Sequence, residues 1–170
     1  MKNLIIAFLF SLLAASNVFS QRNVENQSQN LLTEIMTGKC TRNELQNSSF
    51  SAHFYESYAV YKTKADIIEK IRQSIFDKRI TIVLGTWCED SQQQVPRFIK
   101  ILDQIDYNSS MVDFFCVDRN KTAGQTDISA LNIAKVPTFI VYDQHGEMGR
   151  IIETPELSLE EDLLTILQNL

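Results

Sequence analysis

The strongest constraint on this chain is a short run in its middle. Arg79-Ile80-Thr81-Ile82-Val83-Leu84 is followed, after three residues, by Cys88. The run is β-branched, short and almost wholly apolar, which predicts a central strand buried on both faces. Gly85 and Thr86 end it. Val95, Phe98, Ile99, Leu102 and Ile105 then recur at spacings of three and four, so a helix begins close to Cys88. A thiol at a helix N-terminus faces unpaired backbone N–H groups and the positive end of the helix dipole. Both stabilise the thiolate, which is the nucleophilic form. The alternative, an inert buried cysteine, fits the helix-start position less well.

Residues 1–20 are of another kind. Lys2 is followed by an apolar run from Leu4 to Leu13, then by small residues at Ala14-Ala15-Ser16 and Val18-Phe19-Ser20. This pattern reads as a secretory signal peptide, with Gln21 the first mature residue; a retained N-terminal anchor is the alternative. The run is short for a bilayer span, and no later stretch is long and apolar enough to be one. The expected location is therefore the periplasm or the extracellular side of the cell envelope, with no stable membrane insertion after cleavage. A net charge of −5 and the lack of a basic patch argue against a nucleic-acid partner.

Export implies a compartment where disulfides persist. Cys40, Cys88 and Cys116 are odd in number, so they cannot all pair with one another. Their spacing fits no zinc pattern, and no metal or cofactor is expected.

The remaining elements follow from periodicity. Residues 21–77 read as an N-terminal helical extension packed on a domain spanning 78–170. Val24, Leu31, Leu32, Ile35 and Met36 have loosely helical spacing, with Gly38 as a helix stop. Thr41 to Glu44 fits a capping box. Phe50, Phe54, Tyr58 and Tyr61 form an aromatic stripe that reads first as core and second as a docking face. Ala65, Ile68, Ile71 and Ile75 mark another amphipathic helix. Met111–Val117 is a second strand candidate, Gln125–Ile133 a short helix, and Val136–Tyr142 a strand opened by Pro137. Gln144–Glu147 is a hairpin turn, and Gly149–Glu153 its partner strand. Ser158 to Glu161 is a second capping box, opening a C-terminal helix.

From Arg79 onward these motifs resemble the thioredoxin fold. Trp87-Cys88 with a two-residue spacer resembles the thioredoxin active-site loop, and Pro96 sits where that family has a helix-kinking proline. Val117-Asp118-Arg119-Asn120, Val136-Pro137-Thr138, the Gly146-Glu147 turn and the last helix follow in the family's order. The resemblance implies an α/β thioredoxin-like fold, a central mixed β-sheet flanked by helices. It also implies a cis bond before Pro137. Gly85–Ser91, with Gly149–Glu153 and Pro155, is similar to a subgroup of exported bacterial thioredoxin-family proteins.

The departures are as informative. Ser91 stands where thioredoxins carry their second cysteine, giving a monothiol Cys-x-x-Ser motif. Ile82 and Phe114 replace the buried acid and the lysine that assist proton transfer in that family. Cys88 is thus the expected nucleophile. Ser91 either donates a hydrogen bond to its thiolate or only fills a cysteine's place. Glu89 and Asp90 oppose the thiolate by charge. Trp87 supports the loop, and Asp118 is expected to accept a bond from its indole. Val136 and Thr138 flank Pro137 where the family pairs with an extended client. Cys116 and Cys40 are candidates for a second, resolving thiol, although Cys116 reads first as a buried hydrophobe.

The functional expectation is a monothiol oxidoreductase or isomerase of the cell envelope. Its partners are client proteins with thiols or disulfides, and a redox partner or small-molecule thiol that completes the exchange. The rival is a redox-inactive binding module that docks extended polypeptide at the proline face. The Gly-Phe spacer and Gly-Gly pair of monothiol glutaredoxins are absent.

Overall fold

The computed structural model describes residues 35–168. The expected signal peptide, and the helical spacing expected for residues 22–34, lie outside the described residues. Five strands form one mixed sheet in the order β1-β3-β2-β4-β5. They are β1 (Gly38–Cys40), β2 (Arg79–Leu84), β3 (Val112–Cys116), β4 (Thr138–Asp143) and β5 (Gly146–Ile152). β2 runs parallel to β3 and antiparallel to β4; β1 and β5 are antiparallel edges. Among the described residues five α-helices accompany them: α1 (Arg42–Gln46), α2 (Ser51–Val60), α3 (Ala65–Ser74), α4 (Glu89–Gln104) and α5 (Leu159–Gln168). The fold is the expected thioredoxin-like one.

Alternation along the central strands sorts the core into two faces. Ile80, Ile82, Leu84, Phe114, Cys116, Phe139 and Val141 join the large cluster under the helices, with Leu45, Phe54, Ile71, Phe98, Ile101 and Leu163. Phe98 of α4 stacks on Phe139 of β4, ring centroids 4.4 Å apart. The opposite face is smaller: Val83, Val117, Ala123, Ile128 and Val136, with Trp87 and Cys88 packed against them.

The aromatic stripe is mostly core. Phe50 and Phe54 are fully buried, and Tyr58 and Tyr61 pack partly buried beside them. Both capping pairs form. The Thr41 side chain accepts from the Glu44 backbone N–H while Glu44 accepts from the Thr41 N–H. Ser158 accepts from the Glu161 N–H and donates to the Glu161 carboxylate.

Two local expectations are corrected. Gly38 does not stop a helix; it opens β1 at φ +101, opposite Cys116. The extension is therefore not purely helical, because its strand completes the sheet. Residues 125–133 form no α-helix, only a one-turn 3-10 segment at Ser129–Leu131. Asp127 Oδ1 takes the Ser129 N–H, and Asn132 turns left-handed at φ 50, so side-chain and turn bonds outcompete the helix there.

Candidate functional site

Strand β2 delivers the chain to a tight turn at Gly85. The Gly85 carbonyl accepts from the Cys88 N–H at 3.0 Å, and the Cys88 carbonyl takes the Gln92 N–H at 3.0 Å to start α4. Cys88 is thus the N-cap of a sixteen-residue helix, with extended backbone and no side-chain cap bond. Its half-buried thiol lies at the positive end of that helix. Pro96 lies buried inside α4 and denies the Gln92 carbonyl its usual intrahelical donor.

The turn is packed from both sides. A Cβ on Gly85 would come within 2.7 Å of the Trp87 ring, so the indole covers the turn only because residue 85 is glycine. Trp87 Nε1 donates to the Val117 carbonyl at 2.9 Å. The Arg119 guanidinium lies 4.8 Å over the same ring, a cation–π contact. Gln92 Nε2 donates to the Thr86 carbonyl at 2.8 Å, and Thr86 Oγ1 accepts from the Met36 N–H at 3.3 Å.

The expected partner of the indole is therefore corrected: the Val117 carbonyl takes the bond, not Asp118. Asp118 closes its own loop, accepting from the Asn120 and Thr122 N–H groups and from the Thr122 hydroxyl, each at 2.9 Å. The bonds from Thr122 hold its carboxyl below the usual carboxylate range. A carboxylate that accepts three local donors has no need of the indole.

Ser91 is also placed differently from the thiolate-donor reading. It is fully buried, and its Oγ accepts the Gly85 N–H at 3.2 Å. The hydroxyl thus ties the first turn of α4 back to the end of β2. Cys88 Sγ points instead at the Val136 carbonyl, 3.2 Å away. The Val136–Pro137 peptide bond is cis. The Val136 side chain is buried, and Thr138 Oγ1 donates to the Lys135 carbonyl at 2.7 Å, so Thr138 braces this turn from inside. Glu89 is exposed and Asp90 half-buried at the helix start. The structure thus brings Trp87, Cys88, Val136 and Pro137 together. Arg119, which sequence reasoning left without a role, joins them through Trp87; an arginine three residues beyond the end of β3 was the only available signal.

The other two cysteines are elsewhere. Cys40 and Cys116 are both buried in the cluster on the helical face, with their sulfurs 2.8 Å apart. Cys88 packs against the cluster on the other face. Neither candidate resolving thiol therefore lies beside Cys88, and Cys116 faces away from the site despite ending the neighbouring strand.

No curated protein matches the chain. Among solved structures, a protein of unknown function from Pseudomonas aeruginosa is 12% identical, with a TM-score of 0.50 over 71% of this chain and 83% of that one. An HIV epitope-scaffold is 11% identical, with a TM-score of 0.54 over 77% of this chain and 99% of that one. Mitochondrial thioredoxin 3 from Saccharomyces cerevisiae, in its oxidised form, is 20% identical over 56% of this chain and 86% of that one, with a TM-score of 0.32. The family model described as thioredoxin matches residues 37–162, from the start of β1 into α5, and the chain belongs to the thioredoxin family.

Proposed function

We propose that this protein is an exported thiol–disulfide exchange protein of the cell envelope in which Cys88 acts as the sole nucleophile. One observation carries the reading: a half-buried thiol at the first residue of a long helix, 3.2 Å from the backbone carbonyl that precedes Pro137. The Cys88 thiolate attacks one sulfur of a client disulfide. That S–S bond breaks, a new one forms to Cys88, and the displaced client sulfur leaves as a thiolate that takes a proton. Ser91 has no thiol with which to attack the mixed disulfide. A second thiol, from the client or from a small molecule, attacks it and returns Cys88 to the reduced form. If the client supplies both sulfurs, its disulfide is rearranged with no net electron transfer, which is isomerase chemistry. The burial of Cys40 and Cys116 on the other face supports an external resolving thiol.

The test is exchange with glutathione disulfide and with a mixed-disulfide peptide, followed by mass. The expected product is one glutathione adduct, lost in Cys88→Ala and kept in Cys40→Ser. An adduct count unchanged by Cys88→Ala would sink the proposal.

A second reading rests on the same contact seen from the donor's side. Cys88 Sγ lies 3.2 Å from the Val136 carbonyl, a contact that a thiol makes as a donor and a thiolate does not make. On that reading the protein docks extended polypeptide beside Pro137 without chemistry. Client binding would then survive Cys88→Ser and fail when Val136 is replaced.

A further inference from the structure

We infer that Cys40 and Cys116 form an intramolecular disulfide that staples the edge strand β1 to β3 and leaves Cys88 as the one free thiol. The two sulfurs approach to 2.8 Å. That is inside the ~3.5–4.0 Å optimum even of smaller non-bonded carbon atoms, and about 0.8 Å from a bonded S–S distance. The backbone explains the approach. β1 and β3 pair antiparallel with Gly38 opposite Cys116 and Cys40 opposite Phe114, so the two cysteines are diagonal neighbours on one face of the sheet. Cys40 is 7% exposed and Cys116 not at all, so neither thiol competes with solvent for its partner.

The chemistry balances with a disulfide as oxidant, either a low-molecular-weight one or one in another protein. The Cys40 thiolate attacks one sulfur of RSSR and expels RS⁻, which takes a proton. The Cys116 sulfur then attacks Cys40 Sγ in that mixed disulfide, loses its proton, and expels the second RS⁻. Two cysteine thiols give up two electrons and two protons, and RSSR becomes two RSH. A groove of about 490 Å³ lined by Cys40, Phe114 and Leu102 opens beside the pair and gives a small disulfide its approach. Cys116 is harder to ionise than an ordinary thiol, because Cys40 hydrogen-bonds it and burial desolvates it. Cys40, which lines the groove, is therefore the sulfur that meets the oxidant first.

The inference is independent of what Cys88 does, and the experiment keeps them apart. The full chain is unfolded in guanidinium, refolded in a mixture of glutathione and glutathione disulfide, and alkylated in denaturant. One cysteine outside the bridge is expected in the native sequence, a glutathione adduct being counted with the alkylated thiols throughout, rising to three alkylated after reduction, with a Cys40–Cys116 cross-linked peptide in the non-reducing digest. Cys88→Ser should give none before reduction, and Cys40→Ser should give two. Reduction should lower the urea midpoint of the native sequence and leave that of Cys40→Ser unmoved. Three alkylated cysteines in the refolded native sequence, or a cross-link that includes Cys88, overturns the inference.

Discussion

Gly85 and Ser91 are the two residues on which the shape of the Cys88 turn rests. A methyl at residue 85 meets the Trp87 ring at 2.7 Å, so Gly85→Ala must displace the indole and its bond to Val117. The expected cost is about 1–3 kcal/mol, the range for forcing extra volume into a packed site. Trp87 is the chain's single tryptophan, so a change in its fluorescence reports the displacement, and urea denaturation reports the cost. Ser91→Ala removes the acceptor of the buried Gly85 N–H and should cost about 1–3 kcal/mol in the same assay, with Ser91→Thr less harmful if the hydroxyl keeps its partner. Residues whose roles depend on local spacing were legible in the sequence: Cys88 at a helix start, Trp87 before it, Pro137 opening a strand. The partners of Ser91 and Trp87 were not. Both are main-chain groups, and a main-chain N–H or carbonyl has no residue type by which to recognise it.

At the scale of elements, the helices were readable wherever a local pair starts them. Thr41 with Glu44 and Ser158 with Glu161 are signals three residues apart. The stretch 125–133 misleads because its apolar residues have helical spacing while Asp127 and Asn132 favour turns. Contacts between elements were invisible in advance. Asp103 on α4 accepts a two-pronged bond from Arg42 on α1, at 2.7 and 2.8 Å, and a bond from the Tyr58 hydroxyl on α2 at 2.6 Å. Partial burial pushes the Asp103 carboxyl up, but the bonds from Arg42 and Tyr58 outweigh it and hold it below its ordinary value of 3.8. A carboxyl lowered on folding contributes stability above its unfolded value, and loses it as pH falls through the folded one. Denaturant midpoints should therefore decline below about pH 4, as for any set of paired carboxylates. Asp103→Asn should be less stable at pH 7 and should decline less steeply in acid. An Asn variant with the same slope as the native protein would show that the acid sensitivity lies elsewhere.

At the scale of the molecule, the N-terminal helices meet the C-terminal one around a buried acid, with the Lys64–Glu161 ion pair beside it. Glu160, in the first turn of α5, has no exposed surface. It accepts from the Tyr61 hydroxyl at 2.7 Å and from the Lys64 N–H at 3.3 Å, at the junction between α2 and α3. Lys64 is the N-cap of α3 and has no side-chain cap bond; its own N–H, one of the donors a helix start leaves unpaired, is taken by a carboxylate almost a hundred residues away. Burial and this bond also make Tyr61 harder to ionise than a free tyrosine. In the sequence Glu160 reads as one more acidic residue after a capping serine, because nothing local marks it as buried. Glu160→Ala removes the acceptor from two donors at once. By the cost of orphaning buried polar groups, each loss is worth about 1–3 kcal/mol, and the cavity adds to it. The effect should also be distributed unevenly. β2, β3 and β4 keep their ladder, whereas α3 loses its N-terminal acceptor and keeps only the Lys64–Glu161 pair and apolar packing on α5. Hydrogen exchange should therefore accelerate in Ala65–Ser74 well before it does in the central strands. Equal acceleration in helix and strand would mean that Glu160 supports the whole core rather than this one seam, and Glu160→Gln, which keeps an acceptor oxygen, should recover most of the protection in α3.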